Sequence, residues 1–469
     1  MKAAVRRALL RLERYAVRVV PHRWRQPLRA LVPRPREITL EPWESPFVPG
    51  RPAPTWPPAS AADVPAAAPS PGPAPPTVRC LLVTDSMDAG GVDEVVSLLA
   101  RRLPEHGIAV AVMMASADRT KGIGRLGRAL QAQGIEVVDP EPPDGPGFVA
   151  AWRPDIVYVH GGGMEWPIDT AVQAGIPVIL ALHGMHDLFA VDGAHVAALE
   201  GRLDAVVAVS DLVRREYLAK SPALDPRKTV VIPNGVDLGK VTGPSRDDSR
   251  RALGLQDEVL FLSLSRHCLQ KNSYALVDAF QDVARALPTA HLLVCGRVDE
   301  PVYTRQILAL RERSPVRDRI HLRDNAQRTD VLLGAADVFV LDSFFEGWAL
   351  ASMEALAAGV PVVLSDVGGA REQLTGSIVG GALVSNPAGD PTGLTWEAMM
   401  RARYLRQGNR DELVEAMLRV ARGDGVATRA EIAADARERF ASARSVAAHA
   451  ELLRRVARSV TAASTAEPR

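Results

Sequence analysis

The stretch FFEGWALASMEALAAGVPVVLS, residues 344–365, holds a helix and the strand that follows it. Ala, Leu and Met fill its middle and favour a helix. Gly359 and Pro361 stop that run, and VPVVLS reads as a short strand buried on both faces. Two charges interrupt the apolar text, Glu346 and Glu354, eight positions apart. A carboxylate in such surroundings needs a partner or a polar ligand, because a buried unpaired charge is costly. The ordinary account puts Glu346 in the helix's first turn, where acids are favoured, and Glu354 on its wet face. That account suits either residue better than both together beside a Gly-bounded loop.

The same alternation continues in both directions. From Val78 onward, VRCLLVTD, IAVAVMMA, IEVVD, DIVYVHG, PVILALHG and AVVAVS are short apolar runs separated by helical stretches. A second series, VLFLSLS, AHLLVCG, RIHLRD, VFVLDS and VPVVLS, begins near Val259. Strands alternating with helices argue for parallel sheets with right-handed crossovers. The segment between the two series, VIPNGVDLGKVTGPSRDD, has the turn residues of a hinge. The expected architecture is therefore α/β: two facing Rossmann-like domains, 78–238 and 239–430, with the cleft at the carboxyl ends of both sheets. A C-terminal segment, 431–469, is expected to supply a helix that packs back towards the N-terminal domain.

Two segments precede this body. Residues 1–36 carry 11 Lys or Arg against one acid, a net +10, whereas the remainder carries 45 bases and 54 acids, a net −9. Val5, Leu9, Leu12, Ala16 and Val19 share one helical face, with Arg7, Arg11, Arg14 and Arg18 opposite and Trp24 nearby. A basic amphipathic helix of this kind suits an anionic membrane surface; docking on the acidic body, or no fixed partner, are the other readings. Residues 37–77 hold 13 prolines and read as a semi-rigid linker. With its charge confined to the head, the chain as a whole is not expected to bind nucleic acid.

At 469 residues the chain exceeds one typical core. No apolar run approaches the roughly 20 residues that span a bilayer, and no signal-peptide h-region is evident. Three separated cysteines without metal or redox spacing fit a reducing compartment. The expected location is cytoplasmic, peripheral on the inner face of the cell membrane. Fifty Arg against six Lys, with abundant Ala, hints at a GC-rich bacterial genome.

Candidate chemistry gathers at strand ends. SLSRHCLQKN follows a buried strand, so Arg266 and Lys271 fall at a sheet's carboxyl edge, where two cations suit a diphosphate. MDAGGV places Gly90 and Gly91 between a strand and a helix, where backbone N–H groups attract anions. It is not G-x-G-x-x-G, so no dinucleotide fingerprint is met. LALHGMHD puts His183 at a further strand end, and His186 and Asp187 beside it make only a weak metal pattern. VYVHGGG is like a lipase oxyanion loop, but no G-x-S-x-G elbow accompanies it.

Taken in order, the GG loop, the strand-end His, VIPNGVD, SRHCLQKN, EGWALASMEALAAGVPVV and SDVGGARE resemble the retaining glycosyltransferases of family 4, with the two-domain GT-B fold. The resemblance covers about 78–460, and its most specific part is the E-x7-E pair. It implies that Glu346 reaches the hydroxyls of the transferred sugar and Glu354 the ribose hydroxyls of the nucleotide. It further implies that Gly347 and the backbone of Trp348, Ala349 and Leu350 cradle the diphosphate. Arg266 and Lys271 would neutralise the departing nucleoside diphosphate without a metal or other cofactor, and His183 would touch the sugar. Asp324 stands where the family usually has Gly, near the expected place of the base, and Asp342-Ser343 replaces the usual Pro-Ser. The expected partners are a nucleotide sugar and a glycan, lipid-linked or cell-envelope acceptor. A non-catalytic scaffold of the same fold, or a phosphorylase- or epimerase-like relative, are the alternatives.

Overall fold

The computed structural model describes residues 38–45, Phe47 and 78–465, except Ala89, Ala190, Ser377 and the stretches 116–121, 141–143, 162–164 and 185–188. The basic head 1–36 and the segment 48–77 lie outside the described residues, as do His186 and Asp187. Among the described residues no helix is long and apolar enough to cross a membrane.

Two parallel sheets organise the chain. The first contains β1 (Val78–Thr84), β2 (Ile108–Met114), β3 (Glu136–Val138), β4 (Ile156–His160), β5 (Val178–Leu182), β6 (Ala205–Ala208) and β7 (Thr229–Val231), in the order β3-β2-β1-β4-β5-β6-β7. The second contains β8 (Val259–Leu264), β9 (Ala290–Cys295), β10 (Ile320–Arg323), β11 (Val338–Leu341), β12 (Val362–Ser365) and β13 (Gly381–Val384), in the order β10-β9-β8-β11-β12-β13. Every pairing between these strands is parallel. In each sheet the order reverses between its first and fourth strands, β1/β4 and β8/β11. The carboxyl ends of such a pair open a crevice, which is where ligands bind in this architecture. Apolar strands buried on both faces are what helices above and below a parallel sheet require.

The helix Leu350–Ala357 ends where its sequence places the stop. Gly359 adopts φ 76°, and a Cβ there would lie 2.3 Å from the carbonyl oxygen of Arg429, so only glycine fits. Met353, Leu356 and Ala357 on that helix share an apolar layer with Ile432, Ala436 and Phe440. The helix Arg429–Arg439, closed at its start by a Thr428/Glu431 capping box, thus belongs to the C-terminal domain. The chain crosses back later than the expected boundary at 430, at Phe440–Ser442, where the N–H of Val236 donates to the carbonyl of Phe440 (2.8 Å). The helix Ser442–Thr465 then packs Val446, Ala450, Leu452, Leu453 and Val456 against Cys80, Leu82, Tyr158 and Val207 of the first sheet.

The proline-rich segment differs at its start from its reading as a linker. Residues 38–45 and Phe47 form a strap along β10, the outer strand of the second sheet. Glu41 bridges Arg323 in parallel, the N–H of Asp324 donates to the carbonyl of Glu41 (3.0 Å), and the Glu41 carboxylate meets the Arg323 guanidinium. Leu40, Trp43 and Phe47 are buried, and Phe47 stands edge-on to His321 with ring centroids 5.1 Å apart. Proline fits this position, because an edge segment need not donate at every residue. The apolar residues, not the prolines, carry the signal for the strap.

Phe47→Ala removes the strap's deepest side chain, a deletion that costs about 3–5 kcal/mol when the site cannot collapse. The expected outcome is local release of the strap, seen as faster amide exchange at Asp324, whose N–H it covers. Unchanged exchange at Asp324 would show that Leu40 and Trp43 hold it without Phe47.

Candidate active site

The switch points of the two sheets face each other across a cleft of about 860 Å³. Its walls include Gly90, Gly91, His183, Arg266, Lys271, Glu346, Gly347, Trp348, Ala349, Leu350 and Glu354. Of the residues expected to meet the nucleotide sugar, Asp324 alone is missing from these walls. It is exposed, its N–H is taken by the strap and its carboxylate receives its neighbour Asn325's N–H (2.7 Å). The following residues, Asn325 to Thr329, line the cleft in its place.

On the C-terminal side, the loop after β8 and the loop after β11 are drawn together by charge. Lys271 Nζ lies 2.6 Å from Glu346 Oε1, and the hydroxyl of Ser343 donates to the same oxygen (2.6 Å). Both charged side chains are largely buried, at 14% and 9% exposure. Charges so placed must be paired. Arg266 is held by Asp299 (2.5 Å) and by the Gln270 side-chain oxygen (2.9 Å), and Asp299 also binds Arg297 (2.7 Å). Asp299 is not evident from the sequence. It follows β9, and only the side-by-side pairing of β8 and β9 brings it to Arg266.

Beneath this pair lies a buried polar network. Asp342 accepts from the side-chain amides of Asn272 (2.9 Å) and Asn409 (2.8 Å), and Asn272 exchanges two bonds with Gln407 (2.7 and 2.9 Å). Burial pushes the Asp342 carboxyl up to about 7, against the pull of the two amides. Asn272 adopts the left-handed conformation, φ 53°, which Asn tolerates better than most side chains. The departure from Pro-Ser at 342–343 therefore has a structural account: Asp342 ties three segments together and Ser343 supports Glu346.

The N-terminal side supplies a loop and a histidine. Asp93 closes the GG loop by accepting from the Asp88 N–H (2.9 Å) and the Ser86 hydroxyl (3.1 Å). The helix Gly91–Arg102 begins in that loop, with Glu94 in its first turn. Glu94 pairs with Lys240 of the hinge, and Arg101 with Asp237 (3.3 Å). His183 follows β5, and His160 Nδ1 lies 3.0 Å from its Nε2.

Among the described residues the two sides touch at several points, including an edge-on contact of Phe189 with Phe345 (ring centroids 5.1 Å). A Cβ on Gly347 would lie 1.8 Å from the His183 carbonyl oxygen, and one on Gly91 would lie 3.8 Å from a methyl of Leu350. Farther out, the N–H of Asp211 donates to Glu372 (2.8 Å). The Trp348 indole packs edge-on to Phe440 and directs its N–H at the Met353 sulfur (3.3 Å). Glu354 has its carboxyl pushed up to about 7, chiefly by burial and further by Glu94 and Asp237, with Lys240 opposing.

Comparison with known proteins identifies the family and the fold. Residues 89–240 match the family described as Glycosyltransferase Family 4, and residues 245–391 the family described as Glycosyl transferases group 1. The D-inositol 3-phosphate glycosyltransferase of Segniliparus rotundus is 31% identical over 256 residues, 49% of this chain and 56% of that protein. The alpha-maltose-1-phosphate synthase of Mycobacterium tuberculosis is 33% identical over 203 residues, 40% of this chain and 50% of that protein. The chain thus spans about half the length of these curated relatives. The crystal structure of Anabaena HepE with UDP and glucose superposes with a TM-score of 0.62 at 19% identity, over 80% of this chain and 99% of that one. At that identity the likeness is one of fold.

Gly347→Ala is expected to wedge the cleft open, because its methyl would meet a backbone carbonyl that no rotamer moves. Solution scattering should give a larger radius of gyration with unchanged secondary structure by circular dichroism. An unchanged radius would mean that one domain absorbs the methyl locally.

Proposed function

Because the chain belongs to the family 4 glycosyltransferases of GT-B fold, we propose that it moves a hexose from a nucleoside diphosphate sugar to an acceptor hydroxyl, with retention and without a metal ion. The observation that carries this reading is the convergence of Arg266, Lys271, Glu346 and the start of the helix Leu350–Ala357 on one wall of the cleft, opposite the GG loop. In the reaction the bond from the anomeric carbon to the phosphate oxygen breaks, and the acceptor oxygen bonds to the same face. The acceptor's proton passes to the departing phosphate. Negative charge grows on that phosphate as the bond lengthens. Lys271 and Arg266 are fixed beforehand by Glu346 and Asp299, and preorganised cations stabilise such charge without reorganising. Glu346 exchanges part of its bond to Lys271 for the sugar's hydroxyls, and Glu354 takes the ribose hydroxyls. The N–H groups at the helix start receive the diphosphate.

UDP-glucose is the first donor to try, since Anabaena HepE was crystallised with it. A glycan, a lipid-linked sugar or a cell-envelope polymer is the acceptor class we favour. The basic residues of 1–36 would hold the protein at an anionic membrane where such acceptors lie.

The test is nucleoside diphosphate release from a panel of nucleotide sugars, with and without EDTA. Release in EDTA is expected. Lys271→Ala should lower turnover by about 2–4 kcal/mol of transition-state stabilisation, the scale of one lost preorganised donor. Donor binding without release by the wild type would make the chain a non-catalytic scaffold, and release that requires a divalent ion would overturn the metal-free scheme.

A pH profile tests Glu354 separately. Its carboxyl titrates near 7 in the free protein, and ribose hydroxyls donate best to the ionised form. Since kcat/KM reports the free enzyme, it should rise as pH increases through about 7 and level off above. Glu354→Gln should flatten that limb and raise KM for the donor. A limb that survives in Glu354→Gln belongs to another group.

A further inference from the structure

His160 ends β4 beneath the cleft and is 1% exposed. Its Nδ1 lies 3.0 Å from Nε2 of His183, and the two rings stack with centroids 5.3 Å apart. Its other nitrogen, Nε2, is buried with no hydrogen-bond partner among the described residues. The Tyr158 ring covers it at 4.3 Å, and the Tyr158 hydroxyl is 3.0 Å from Nδ1 of His449, on the C-terminal helix that returns to this domain. Burial first, then the neighbouring His183 and His449, keep the His160 imidazole neutral.

A neutral imidazole carries one N–H and one lone pair. If His183 donated from Nε2, the His160 proton would sit on its Nε2, a buried donor with no acceptor. If His160 donates from Nδ1, only a lone pair is left unmatched, which is the smaller cost. The second arrangement puts the His183 proton on its Nδ1, because the bond made by one ring nitrogen decides the state of the other. We propose that His160 is a positioning residue for the transfer, donating from Nδ1 to Nε2 of His183 and so fixing that ring's tautomer and orientation in the cleft. The role rests on the reading above, in which His183 meets the donor sugar. His160 itself touches no reacting atom.

Two replacements separate the His160 nitrogens. Asn places an amide where Nδ1 stood, whereas Gln places one where Nε2 stood. His160→Asn should keep turnover within about threefold, and His160→Gln should lower it about tenfold or more, by analogy with loss of the partner that orients a metal-ligating histidine. In a His183→Ala background the His160→Gln change should add less than about twofold, because coupled residues are not additive. Equal turnover in the two variants, or losses that multiply in the His183→Ala background, overturns the proposal. Thermal melts accompany each variant. Nitrogen-15 spectra of histidine-labelled wild type give a reading that no folding defect affects, with His183 expected as the Nδ1–H tautomer. An active wild type with His183 as the Nε2–H tautomer overturns the role of His160 alone. A wild type that releases no nucleoside diphosphate from any donor overturns the transfer reading, and this role with it.

Discussion

Gly347 and the His183 carbonyl oxygen stand where a single methyl group would not fit. This backbone-to-backbone approach sets the spacing of everything else in the cleft. Gly347 precedes the helix whose start would cradle a diphosphate, and His183 carries the imidazole on the opposite wall. Fixing one atom pair at van der Waals distance fixes how far Glu346, one residue upstream, stands from the N-terminal domain. Tolerances of this order decide whether reacting groups are aligned.

Behind that contact, placement is electrostatic. Lys271 and Glu346 meet in a setting too dry for either to be left alone, and Ser343 adds a third partner. Asp299 does the same for Arg266 from the neighbouring strand. Such pairs are poor sources of stability, since desolvation offsets much of their attraction. What they give is geometry: each cation is already oriented, and the polyol hydroxyls of a substrate can replace part of the bonding without stranding a charge. The Asp342 network extends this logic one layer deeper, where the loops after β8 and β11 and the segment 407–409 share hydrogen bonds.

The fold is legible in the sequence because each strand is a continuous apolar run and each breaker, such as Gly359 and Pro361, falls at an element's end. The place of Arg266, Lys271, His183, Glu346 and Glu354 at the cleft follows from the same pattern, because the apolar runs locate the strand ends that each lies beyond. What the sequence does not disclose depends on neighbours distant in the chain. Asp299 and Asn409 act through partners brought in by strand pairing and packing. His160 lies in a stretch that resembles an oxyanion loop, and its bond to His183 depends on β4 lying beside β5. Asp324 stops one residue short of the cleft, because the strap claims its N–H and nothing local in the sequence shows this. The strap is hidden by composition, as the many prolines between residues 37 and 77 outweigh Leu40, Trp43 and Phe47.

The strap alters how the two domains are joined. The chain runs from the strap on the second sheet to β1 in the first, returns through the hinge near Val236, and crosses again at Phe440–Ser442. Two of these passages are short, and the third spans the 31 peptide bonds from Phe47 to Val78, a contour of at most about 110 Å. With each domain folded, three passages of the chain join the domains instead of one, and the loops they form are closed by packing within each domain. Separation cannot gain the entropy of free ends, and each half stays at high effective concentration relative to the other. The two short passages lie side by side, bonded from the Val236 N–H to the Phe440 carbonyl, like the leaves of one door hinge.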